Sequence, residues 1–185
     1  MRHLSRRSFA LGTLAATTLG ACSNGIGSPG AATIDARVDS TLNGMTTQFP
    51  GTRDLQAKAA GVLVMPLVTE VGLGLGGAFG RGALRVGDST VDYYSATSGS
   101  AGLQIGAQQF SHVLFFMTGD ALLEFRRGPG WAAGADIEYA FSNQSEMLRA
   151  ETTTSLAPVI AVVFAQTGLR VGATLEGTKY TRIIP

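Results

Sequence analysis

The chain has 185 residues, a formal charge of +1, 45% hydrophobic residues and only 15% charged ones. That is enough for one domain of ordinary size, too apolar for disorder over its length and too weakly charged for a nucleic-acid binder. A single cysteine excludes an intrachain disulfide, two histidines beside it leave almost nothing for a zinc site, and no cofactor is expected.

Residues 1–21 read as an export signal. Arg2, Arg6 and Arg7 precede a weakly apolar run, Phe9 to Ala21, with no acid among them. The run is far shorter than the ~20 residues a membrane-spanning helix needs. Ser5-Arg6-Arg7-Ser8-Phe9 resembles the twin-arginine export motif. Leu19-Gly20-Ala21-Cys22 resembles the lipobox of bacterial lipoproteins, in which the cysteine carries fatty acids such as palmitate and becomes the new N-terminus. The chain's one cysteine, Cys22, stands at the one lipobox position, which makes it the expected lipid attachment site. Cleavage before it removes three arginines and no acid, so the charge falls from +1 to −2. Residues 22–30, rich in glycine and serine, read as a flexible tether. Eight such residues reach roughly 28 Å at most, so the following domain can touch the membrane that holds it.

The domain itself is expected over residues 31–185. Ile34, Val38, Leu42, Met45 and Phe49 recur every three or four positions, which predicts an amphipathic helix from Ala31 to Phe49. Asn43-Gly44 weakens it and Pro50-Gly51 ends it. This apolar stripe suits either burial in a core or contact with acyl chains. Thr52 is placed to cap a short second helix through Ala60.

Beyond Gly61 short strand candidates follow: Val62 to Met65, closed by Pro66, then Val71 to Phe79, Ala83 to Val86, Val91 to Tyr94, Leu103 to Gln109 and Val113 to Met117. Glycine is the compositional outlier here, at 25 residues against 6 prolines, which points to closely packed strands and tight turns. Thr118-Gly119-Asp120 starts a helix that carries Arg126-Arg127 in its last turn and stops at Gly128-Pro129-Gly130. Trp131 to Phe141, Leu148 to Thr154, Val159 to Phe164, Leu169 to Leu175 and Lys179 to Ile184 complete the strands. The series predicts an α+β fold: a mostly antiparallel sheet, curled or barrel-like, with helices at its N-terminal end and one mid-chain helix.

Each motif that carries chemistry has a plainer alternative. Gly72, Gly74 and Gly77 satisfy the G-x-G-x-x-G dinucleotide pattern, with Asp92 twenty residues on. A helix must begin at the third glycine, and Gly80, Gly82 and Gly87 argue against one. Gly72, Gly74 and Gly76 instead share one strand face, where another backbone can approach closely. His112, the one histidine after Cys22, adjoins an apolar run and reads as structural. Asp136 and Glu138 share a strand face without further catalytic company. No catalytic centre is expected. Arg126 and Arg127 beside Trp131 form the best local candidate for a phosphate headgroup with an interfacial aromatic, against a solvated helix end.

Several blocks of sequence resemble one known family. Ala57-Lys58-Ala59-Ala60-Gly61-Val62-Leu63-Val64-Met65-Pro66 is similar to the opening of the SYLF domain. Gly76-Gly77, Gly80 to Leu84, Tyr93-Tyr94-Ser95 and the distinctive Gly102 to Gln108 continue it. Phe116-Met117-Thr118, Ala121-Leu122, Phe125, Gly130-Trp131, Pro158-Val159, Gly168-Leu169 and Leu175 to Lys179 follow in order, over about residues 32 to 184. The resemblance implies a non-catalytic domain that binds membrane lipid. Eukaryotic members bind phosphoinositide membranes, some at actin-rich sites; bacterial members are mostly exported and described as lipid-binding. One departure is Glu70, where relatives often carry a basic residue. The expected protein is thus a lipid-anchored lipoprotein on the periplasmic face of a membrane, the outer membrane foremost. Its partner is membrane lipid and not nucleic acid. Its candidate lipid contacts are Ile34, Val38, Leu42, Met45, Phe49, Arg126, Arg127 and Trp131. A structural or scaffolding lipoprotein, touching lipid through its own anchor alone, is the alternative.

Overall fold

The computed structural model describes residues 25–128, 130–134, 137–139, 157–165, 175 and 177–185. Helix α1 spans Pro29–Gln48 and begins earlier than the apolar spacing indicates. Ser28 is its N-cap: the hydroxyl accepts from the Ala31 amide at 3.0 Å, and Pro29, with no amide hydrogen to lose, opens the first turn. Asn43-Gly44 does not interrupt it; Thr46 and Thr47 donate back to the Asn43 carbonyl. Helix α2, Thr52–Lys58, has Gly51 rather than Thr52 at its N-cap. Thr52 is buried and donates to the Phe49 carbonyl at 2.7 Å, pinning the turn between the helices.

Strands β1, Gly61–Val86, and β2, Ser89–Phe116, are single long elements where the sequence suggests six short ones. They pair antiparallel along their length, through the two-residue turn Gly87-Asp88, in which Gly87 has φ of +57°. Pro66 does not close a strand. The ladder shifts register between Met65 and Val68, so the missing amide falls at a bulge, and the Pro66 carbonyl accepts from the Ser111 hydroxyl at 2.7 Å. Helix α3, Gly119–Arg127, agrees with its reading: Thr118 caps it through the Ala121 amide and two arginines close it. Trp131 to Phe141 is not one strand. β3 holds Trp131–Ala132 and β4 holds Ile137–Tyr139, with Ala133 bonded to the Thr178 turn between them. β5 is Val159–Ala165 and β6 is Lys179–Ile183. The strand expected at Leu148 to Thr154, and most of that at Leu169 to Leu175, lie outside the described residues.

The fold is α+β, built on a curled and mostly antiparallel sheet. β2 is its spine. One edge of β2 carries β1; the other carries β6 along Tyr93–Thr97 and β5 along Phe110–Phe116, with β3 beyond β6 and β4 parallel to β5. The curl comes from β1 folding back so that its last third crosses its first. A Cβ on Gly82 would fall within contact distance of the Val64 carbonyl oxygen, and one on Gly80 would lie 2.8 Å from the Leu67 carbonyl oxygen. Only glycine lets the two stretches of backbone approach that closely.

Two hydrophobic cores result, one on each face. Leu63, Met65, Leu84, Tyr94, Leu114, Phe116 and Tyr180 meet on one face, where Phe125 of α3 joins them. On the other, the stripe Ala31, Ile34, Val38, Met45 and Phe49 packs on Val62, Val64, Ala83, Tyr93, Val113, Phe115 and Ile160. The polar side of α1 is fastened too. Asp35 accepts from the Thr90 and Tyr93 hydroxyls, both at 2.7 Å, and Asp39 pairs with Arg85 at 2.7 Å. Residues 25–30, expected as tether, are fixed from Gly25 onward. The Gly25 amide and the Ser28 hydroxyl donate to the Pro185 carbonyl at 3.0 and 3.1 Å. Among the described residues no helix is long and apolar enough to cross a membrane.

Candidate functional site

The structure sorts the residues nominated from the sequence into three groups. The stripe of α1 is the first. Val38 and Met45 are fully buried, Ile34 and Phe49 nearly so, and Leu42 is partly buried against the same core. These side chains are committed to the sheet, and lipid contact through them would require α1 to leave it. The core alternative is the one the packing takes. It wins because a stripe wide enough for membrane contact equally covers a sheet face that would otherwise stand exposed.

The end of α3 forms the second group. Arg126 lies 2.9 Å from Asp92 through Nη2 and 3.0 Å through Nε, while Arg182 approaches the other Asp92 oxygen at 3.3 Å. Arg182 also donates to the Arg126 carbonyl at 3.0 Å, tying α3 to β2 and β6. The Tyr94 hydroxyl accepts from Arg182; burial raises the tyrosine's pKa and this bond raises that of the arginine. Arg126 is thus part of a structural ion cluster, and Arg127 beside it is exposed. Trp131 packs against the core next to the end of α3. It is partly buried, with ring centroids 5.5 to 6.4 Å from Phe125, Tyr180 and Phe116.

The third group is the candidate chemistry. His112 is fully buried, and desolvation drives its pKa down to about 3. Its Nε2 shares a 2.9 Å hydrogen bond with the Tyr180 hydroxyl, and Nδ1 is unpartnered. The neutral ring is packed between Phe110 and Tyr180, with ring centroids 5.9 and 5.8 Å away. Tyr93 is held protonated: burial and the Asp35 hydrogen bond push its pKa up to about 12. Glu138 lies in β4; Asp136 and Cys22 lie outside the described residues. No cluster of three or more potential metal ligands occurs among the described residues. β1 continues as a strand through Gly80 and Gly82, so the helix a dinucleotide loop requires is not formed there.

Among the described residues, two surface grooves flank α1. One, of about 860 Å³, lies between the C-terminal half of α1, α2 and the β1–β2 turn, and its charges balance: Asp39 and Asp88 against Arg53 and Arg85. The other, of about 430 Å³, lies between the N-terminal half of α1 and the bend of β1, with Thr33, Arg37, Leu67, Phe79, Arg81 and Pro185 in its walls and no acid among them. Sequence reading missed this second groove. Its only signal was Phe79-Gly80-Arg81, two large residues alternating outward around a glycine.

Residues 97–182 match the family model described as "Ysc84: Las17-binding protein actin regulator", the Ysc84 or SYLF domain family. The matched span begins within β2, includes α3 and β3 to β5 and ends within β6; α1, α2 and β1 lie outside it. No curated protein matches the chain.

Proposed function

We propose that the protein is a bacterial envelope lipoprotein, exported by residues 1–21, acylated at Cys22 and facing the periplasm from its membrane, whose domain is a non-catalytic lipid-binding module. The observation that carries this reading is the distance between anchor and fold. Gly25 is already fixed against Pro185, three residues after the cysteine of the lipobox. Three residues span roughly 10 Å at most. Several acyl chains hold a protein durably at a bilayer, so this domain would rest on the leaflet that holds it. The similarity of residues 97–182 to the Ysc84 family supports the lipid-binding part. That family is generally non-catalytic and is linked in eukaryotes to lipid and actin. The family's description names a Las17-binding actin regulator, and the lipid half is what this chain inherits in our reading.

The test is Cys22→Ser in the full chain. The parent should incorporate labelled palmitate and sediment with membranes through a high-salt wash. The variant should lose the label and the salt-resistant fraction. A variant that keeps both overturns the anchor. A scaffolding lipoprotein, touching lipid through its acyl chains alone, would pass this test, but its Cys22→Ser form would bind no vesicles.

A further inference from the structure

The groove between α1 and the bend of β1 stands out on two counts, its charge and its place. Arg37 and Arg81 are exposed, and neither forms an ion pair or a side-chain hydrogen bond among the described residues. Three other arginines among the described residues are paired: Arg85 with Asp39, Arg126 and Arg182 with Asp92. Arg81 is held over the Phe79 ring, 5.8 Å from its centroid. That stacking limits the guanidinium's freedom while leaving its donors open. The fold of β1 builds this arrangement. Gly80 presses onto Val68 and Leu67, so Phe79 and Arg81 on either side of it turn outward beside Leu67 and Thr69. Glu70, one residue further, alternates to the opposite face of the strand and is absent from the walls.

The place of the groove supplies its occupant. Pro185 forms part of its wall and is also the residue that clasps Gly25 and Ser28. On either side of the clasp Ile26 is 68% exposed and Ile184 78% exposed, and Phe79 across the groove is 50% exposed. The groove, three exposed apolar side chains and the start of the path to Cys22 therefore share one end of the domain.

We infer that this end is the membrane-docking face: Arg37 and Arg81 hold the phosphate of an anionic phospholipid headgroup in the leaflet that carries the anchor, and Phe79, Ile26 and Ile184 enter the interface around it. This rests on the lipoprotein reading for the position of the leaflet. The chemistry is that of two guanidinium forks on a phosphate, ringed by side chains suited to the headgroup boundary. It requires no net positive charge on the domain, because two unpaired guanidinium groups are gathered in a groove with no acid in its walls.

The test uses the full chain carrying Cys22→Ser, so that no acyl anchor masks binding. Vesicles of phosphatidylethanolamine with phosphatidylglycerol are compared with vesicles of phosphatidylcholine alone. The parent should prefer the anionic vesicles. Arg37→Gln with Arg81→Gln should weaken that binding by about fivefold per arginine, with unchanged melting, since neither side chain is paired. Arg53→Gln with Lys58→Gln, the same change of charge at exposed sites outside the groove, should leave it nearly intact. Phe79→Ser should weaken binding to both vesicle types. Equal loss in the two arginine pairs would mean diffuse electrostatics and overturn the groove. So would a groove variant that binds like the parent, or a parent that binds soluble glycerol phosphate as tightly as anionic vesicles, which would mark a free-anion site. A parent that binds neither vesicle overturns the lipid-binding module as well. Loss of the anchor would be seen separately, in the palmitate label of the unsubstituted chain.

Discussion

Burial keeps the His112 imidazole neutral, with a pKa lowered to about 3 against 6.5 for a free side chain. Between those values the unfolded chain binds a proton that the folded chain refuses, so stability rises with pH across the window. Stability from this residue is complete above about pH 6.5 and is lost as the pH falls toward about 3. The slope is on the order of 1 kcal/mol per pH unit, or about 2 kcal/mol between pH 6.5 and 5. Denaturant unfolding at pH 7, 6 and 5 measures it. His112→Gln, which keeps a polar atom for Tyr180, should flatten the slope over that range; an unchanged slope would assign it to other groups. At this scale the sequence was informative wherever chemistry acts locally. Thr118 was readable as a cap because a hydroxyl before Gly119-Asp120 can only help a helix start there. Ser28 was not, because the apolar spacing that marks α1 starts later than the helix itself.

Elements were legible in kind and less so in extent. Alternation marked the strands, but the glycines and Pro66 between them looked like ends, whereas the ladder absorbs Pro66 in a register shift and continues through the glycines. The sequence argues close approach at Gly72, Gly74 and Gly76, and the side-chain sites at 72–75 lie outside the described residues; the close approach that the structure shows is at Gly80 and Gly82. Nothing local separates Gly82 from Gly74, because what makes Gly82 indispensable is Val64, eighteen residues earlier. Gly82→Ala should therefore destabilise the domain by at least about 3 kcal/mol or prevent folding, since the obstacle to its Cβ is backbone and cannot rotate away. Gly99→Ala, whose Cβ would meet nothing within 4 Å, is the matched control and should be close to neutral. Equal melting of the two variants would refute the crossing of β1.

At the scale of the whole molecule, α1 joins what the sheet would otherwise leave apart. It covers residues from both arms of β1 and from β5 with one stripe, and Asp35 and Asp39 fasten its flank to Arg85, Thr90 and Tyr93. The groove exists because α1 and the bend of β1 meet over Gly80, with Pro185 closing the end. Its walls come from residues 33, 37, 67, 79, 81 and 185, so no window of the sequence contains the site. The sequence did contain the apolar stripe, and it suited membrane and core equally. Leu42→Asp combined with Phe49→Asp separates those roles, and in this fold the carboxylates would enter the layer between α1 and the sheet rather than acyl chains. Phe49 alone packs edge-on to Phe164 with centroids 6.3 Å apart, so its loss opens the core at the foot of the helix. Two unpaired carboxylates in that layer cost several kcal/mol, a large share of the stability of a domain this size. In the Cys22→Ser full chain the double variant should melt far below its parent or fail to fold, as read by circular dichroism. The Arg37 and Arg81 pair should instead melt with the parent and fail on anionic vesicles. A double-aspartate variant that folds like its parent and loses vesicle binding would mean that α1 leaves the sheet at the membrane. The docking face would then be the helix stripe, and the groove would be the scar of its departure.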